Sequence, residues 1–146
     1  MIKQYESSVE QIQRYGCFFM AIISEIARAS GHFFDDDEIR IIYKSCCSLG
    51  WITENCYITK FKAYSGIAEV AAELIGSPFR LDYIGETDVK GHRRETWGQY
   101  GDICIIEGKV IGTASHFFTP HYNPDPSLEI EYIISVRHFR KREAMR

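Results

Sequence analysis

The sequence predicts an α+β fold, with a helical first half and a mostly antiparallel sheet in the second. Three observations carry this expectation. Apolar residues recur at helical spacing as far as residue 77, they fall into short β-type runs after Pro78, and no internal repeat or low-complexity segment interrupts that order. At 146 residues, 45% hydrophobic and 14% aromatic, the chain suits one domain with a sizeable core. The expected division is a helical half over 1–77, a β half over 78–140 and a basic tail over 141–146.

From Cys17 to about Ser30, Phe18, Phe19, Met20, Ile22, Ile23 and Ile26 fall on nearly every side, which predicts a buried central helix stopped by Gly31. The acids "DDDE" at 35–38 favour the start of a second helix carrying Ile39, Ile42, Tyr43 and Cys46 and closed by Gly50. Ser65 caps a third helix, with Ile67, Val70, Ala71, Leu74 and Ile75 on one face and Gly76 and Pro78 at its end. The β runs are "FRLDYI", then "DICIIE" and "KVIGT" as a hairpin around Gly108, then "SHFFT" and "LEIEYIISVRHF". Between them, "GETDVKGHRRETWGQYG" at 85–101 is long and aperiodic, which is expected of a lid or a tether. Trp51 and Trp97 beside glycines are expected to pack under loops.

The net charge is −3, but the last ten residues, "RHFRKREAMR", hold five basic side chains against Glu143. A solvated basic end is expected there, and nucleic acid is not expected as a partner. Five cysteines (Cys17, Cys46, Cys47, Cys56, Cys104) form an odd number without the density of a secreted scaffold, and "MIKQYESSVEQ" has no apolar signal core. Reduced thiols and a cytoplasmic location are the expectation. The apolar run around Cys17 is far shorter than the roughly 20 residues of a membrane span, so no membrane partner is expected. Adjacent Cys46 and Cys47 with no CxxC or HxxxH pair argue for no metal, and no cofactor is implied.

Chemistry concentrates at "QIQRYGCFFMAI", residues 11–22. Cys17 reads either as a small core hydrophobe or as a nucleophile held at a helix start, where a thiol pKa can fall. Gly16 permits close backbone approach, and Gln11, six residues upstream, can supply an oxyanion donor, with Gln13 as its rival. The base would come from His116 in "SHFFT", with His121 as the rival. Asn123 or Asp125 in "HYNPDPS" would orient it, although the Pro and Asx content of that segment already predicts a turn.

In this order of motifs the chain resembles the papain-like cysteine peptidases, particularly small bacterial and phage domains akin to the bacteriocin leader peptidases. "QIQRYGCFFMAI" is similar to their glutamine–glycine–cysteine segment, "SHFFT" to their histidine strand, and "YNPDP" with "SVRHF" to the Asp/Asn-Pro turn and final strand of the phage type. The resemblance implies a papain-like fold with Cys17 as nucleophile, His116 as general base and Gln11 in the oxyanion hole. Asp125 or Asn123 would be the orienting residue, although only eight residues separate His116 from Asp125 where the family usually fits a further strand. The activity implied is hydrolysis of a peptide or isopeptide bond, with a peptide or peptidoglycan-like substrate. The alternative is an inactive papain-like phage or prophage accessory protein that works by binding.

Overall fold

The computed structural model describes residues 1–88, 103–112 and 114–144, and they form an α+β fold. A 3₁₀ turn at Gln4–Glu6 precedes α1 (Glu10–Tyr15), α2 (Cys17–Ser30), α3 (Asp36–Ser48) and α4 (Lys62–Leu74). Four strands follow: β1 (Phe79–Asp88), β2 (Ile103–Val110), β3 (Ser115–Phe118) and β4 (Ile130–Glu143). They form one antiparallel sheet in the order β1-β4-β2-β3, so β3 is an edge strand among the described residues.

The all-round apolar composition of α2 is satisfied by burial on every side, because its residues from Phe18 to Ala27 are buried between α3, α4 and the sheet. Gly31, at φ 63°, ends it in the left-handed conformation that glycine adopts without a Cβ penalty. Asp35 caps α3 reciprocally: its carboxylate accepts from Glu38 N at 2.9 Å, while its own N–H donates to Glu38 Oε1 at 3.1 Å. The inner sheet face, with Leu81, Ile103, Ile105 and Phe139, joins the helices in the main core. Cys104, Ile106, Phe118 and Val136 form a second buried cluster. The unbroken apolar run of β2 thus reflects burial on both faces.

Four expectations are corrected. Gly108 is not a hairpin turn: "DICIIE" and "KVIGT" meet in one strand, where a Cβ on Gly108 would come within 2.7 Å of Ile130 Cγ2. That glycine provides packing space, and the turn into β3 lies at Ile111–Gly112, with Gly112 at φ 79°. Ser65 is not a cap; α4 begins at Lys62, and Ser65 Oγ inside it accepts from Tyr83 N at 3.3 Å. The basic tail is largely strand, since Lys141 pairs with Leu81 and Arg142 with Arg80, and Arg142 Nε donates to Asp82 Oδ2 at 2.7 Å. The first four residues of the aperiodic segment at 85–101 belong to β1, and the rest of the proposed lid, with Trp97, lies outside the described residues. Trp51 packs as expected, so close to Gly66 that a Cβ there would meet its ring at 2.5 Å.

Candidate active site

Helix α1 and helix α2 are separated by the single residue Gly16, which puts Cys17 at the first position of the central helix. A Cβ on Gly16 would meet Ile12 O at 2.7 Å, so the close approach that breaks the two helices apart needs glycine. The Cys17 side chain lies between the start of α2 and the edge strand β3. Burial raises its thiol pKa above the ordinary range, and the backbone N–H groups of Phe117, Phe18 and Cys17 itself oppose that, while the Asp125 charge adds to it. The thiol is therefore protonated at neutral pH in the resting protein, in contrast to the low-pKa thiolate that a helix start suggests.

His116 in β3 is 2% exposed, and its Nε2 lies 2.7 Å from Asn123 Oδ1. The same oxygen accepts from Asp125 N at 3.1 Å. A backbone N–H can only donate, so the shared atom is the amide oxygen and the imidazole donates to it through Nε2–H. The neutral ring then carries its lone pair on Nδ1. Burial lowers the His116 pKa, opposed by the Asn123 bond and the Asp125 charge, and this keeps the ring neutral at pH 7.

Asp125 is a turn residue: its Oδ1 accepts from Ser127 N at 3.1 Å and from Ser127 Oγ at 2.5 Å. Of the two orienting candidates, Asn123 touches the imidazole, whereas Asp125 acts on both Cys17 and His116 through its charge. Gln11 is half-buried in α1; its carbonyl accepts weakly from the Cys56 thiol at 3.9 Å, and its amide makes no hydrogen bond among the described residues. Gln13 is exposed and donates to Ser7 O at 2.6 Å. His121 is exposed. No hydrogen bond joins Cys17 to His116 among the described residues; His116 stacks on Phe118, while Ser115 and Phe117 on the opposite face of β3 line the cleft.

That cleft, about 630 Å³ in volume, opens beside Cys17. Besides Arg14, three lining residues that the sequence did not mark for the site shape it. Cys56 sits in the left-handed region at φ 60°, a costly conformation for a residue with a Cβ, and burial pushes its thiol up to about 12. Tyr64 stacks on Phe18 at 4.9 Å. Arg137 is wedged between Phe18 and Phe117, at 5.4 and 4.9 Å from their ring centroids. An arginine inside the apolar run "SVRHF" was a visible signal of the last; nothing local marked the other two.

A short N-terminal segment holds the Asn123 turn. Tyr122 Oη donates to Ile2 O at 2.5 Å, Lys3 Nζ to Asn123 O at 3.1 Å and Gln4 N to Pro124 O at 2.8 Å. Gln4 is buried and donates its amide to Gln13 O at 3.0 Å, tying the turn to α1 as well.

A family model described as "Protein of unknown function, DUF261" matches residues 1–74. The chain belongs to the DUF261 family. The DUF261 match covers all four helices, hence Gln11 and Cys17, and stops before the sheet that carries His116, Asn123 and Arg137. No curated protein and no solved structure matches the chain. No group of three or more His, Cys, Asp or Glu among the described residues could hold a metal ion, and no helix among them is long and apolar enough to cross a membrane.

Proposed function

We propose that this protein is a papain-like cysteine hydrolase that cleaves a peptide or isopeptide bond by acyl transfer to Cys17. The observation that carries the reading is the Asn123–His116 hydrogen bond at 2.7 Å on the strand whose Phe117 amide lies against the Cys17 thiol. It fixes the imidazole with Nδ1 as its basic nitrogen.

Both partners rest neutral. His116 Nδ1 takes the thiol proton as Cys17 Sγ attacks the substrate carbonyl, the helix-start N–H groups support the oxyanion, and His116 returns the proton to the leaving amine. Water then attacks the thioester with His116 as base and frees the acid and the thiol. Because the His116 ring sits on the face of β3 turned away from the cleft, the proton transfer from Cys17 requires β3 to re-set in the substrate complex so that Nδ1 reaches Sγ. Five free thiols support a reducing, cytoplasmic setting.

A chloromethyl ketone of a short peptide, read by mass spectrometry, tests this. Adduct on Cys17 at pH 7 is expected to form faster than on glutathione and to slow by about 10²-fold in His116→Ala. Plain iodoacetamide, which draws less on the cleft, is expected to label Cys17 efficiently only above the ordinary thiol range near 8.5. A Cys17 no faster than glutathione, or indifferent to His116→Ala, overturns the proposal. The second reading, a papain-shaped protein that only binds, is favoured by the lack of a Cys17–His116 hydrogen bond among the described residues, and that same result would select it.

A further inference from the structure

The charge of the cleft is opposite to that of the molecule. The chain carries −3 overall, yet among the described residues lining the cleft are two arginines, Arg14 and Arg137, and no carboxylate. Five of the lining side chains are aromatic, Phe18, Tyr64 and Phe117 among them. Phe18 and Tyr64 are buried, so the Arg137 guanidinium beside Phe18 acts at a lower dielectric than a cation in solvent.

Arg137 has carboxylates near it, but they leave donors over. Its Nη1 donates to Ser135 Oγ at 3.0 Å and reaches Glu107 Oε1 at 3.4 Å, while its Nη2 stands 3.6 Å from Glu86 Oε1. Nε is buried and has no hydrogen-bond partner among the described residues. A guanidinium presents five N–H donors in a fixed fork, and this one is not saturated. Neither Glu86 nor Glu107 lines the cleft. Arg14, at the other wall, is largely exposed and among the described residues is bound only to Glu10 of its own helix, at 2.8 Å, a pairing a ligand can displace cheaply.

We propose that the cleft beside Cys17 binds a peptide segment combining an aromatic or apolar side chain with a carboxylate, and that Arg137, assisted by Arg14, reads that carboxylate. The rings take the side chain and the guanidinium takes the anion. This names the substrate class of the proposed hydrolase and rests on that reading for the chemistry, though not for the binding. The carboxylate is either an acidic side chain or a free chain end, since both offer the same two oxygens.

Three dipeptides separate these cases: acetyl-Tyr-Glu-amide, acetyl-Tyr-Gln with a free carboxylate, and the neutral acetyl-Tyr-Gln-amide. Each is titrated into the whole protein under reducing conditions and followed by amide NMR shifts around Cys17 and Phe117. At least one anionic peptide is expected to bind on the order of tenfold tighter than the neutral one at low salt, with the advantage shrinking as salt rises. Whichever anionic peptide wins identifies the source of the carboxylate. Arg137→Gln is expected to abolish the preference and Arg14→Gln to reduce it. Because Arg137 is wedged between Phe18 and Phe117, the Arg14 variant and the salt dependence of the wild type decide the matter if Arg137→Gln does not fold. Equal binding of all three peptides, or binding of none, overturns the inference. A charge preference without a chloromethyl ketone adduct would instead remove the hydrolase reading and leave an anion-binding cleft, and an adduct without the preference would do the reverse.

Discussion

At the scale of single residues, Asn123 is the pivot of the site. Its Oδ1 accepts both the Asp125 N–H and the His116 ring, so it orders a turn and selects a tautomer with one atom. Nitrogen NMR of the imidazole is expected to show His116 protonated on Nε2 and bare on Nδ1 at pH 7. Asn123→Ala is expected to mix the tautomers; an unchanged spectrum would separate Asn123 from the ring. A buried imidazole left without its partner also forfeits about 1–3 kcal/mol, visible in urea denaturation. Asp125, the other candidate, is bound to its own turn, so Asp125→Asn is expected to leave the tautomer unchanged.

At the scale of elements, the break between α1 and α2 decides where the thiol lies. Gly16 N donates to Ile12 O at 2.9 Å and Gly16 O accepts from Met20 N at 2.8 Å, so one residue closes the first helix and opens the second. Gly16→Ala would press a Cβ against Ile12 and is expected to cost about 1–3 kcal/mol. It is also expected to change the labelling rate of Cys17 by iodoacetamide, because the helix start moves with it. Denaturant melts and labelling of the same variant check both; full stability would show that the close approach to Ile12 is not needed. The edge strand β3 works as a counterpart, offering the Phe117 amide on its free side while pairing with β2 on the other.

At the scale of the whole molecule, pH acts on stability from both sides. Burial lowers the pKa of His116 and of His138, so below about pH 6.5 the unfolded chain binds protons that the folded one refuses, and stability falls as pH falls. Burial raises all five thiols, Cys46 and Cys56 to about 12 and Cys104 to about 11. Above about pH 8.5 the unfolded chain releases protons first, and stability falls again. A plateau between these limits is expected in thermal melts across pH, with the acid shoulder flattened in His116→Gln. Melting temperatures still climbing beyond pH 9.5 would contradict the thiol side.

Local sequence was enough for α2, α3 and the α+β order, because apolar periodicity, the acids before Ile39 and the glycine stop at Gly31 are short-range features that act wherever the chain goes. It also offered Cys17, His116, Gln11 and the pair Asn123 and Asp125 as candidates, since each lies at or near a recognisable element start or turn. It could not tell Asn123 from Asp125, because both lie in the same turn and only the path of β3 brings one of them to the ring. Nor could it separate a packing glycine from a turning one at Gly108, where the reason is the Ile130 side chain 22 positions away in sequence. The cleft is wholly tertiary: Arg14, the Cys56–Tyr64 stretch and Arg137 come from three distant segments, and burial there reverses the thiol shift that the helix start alone suggests.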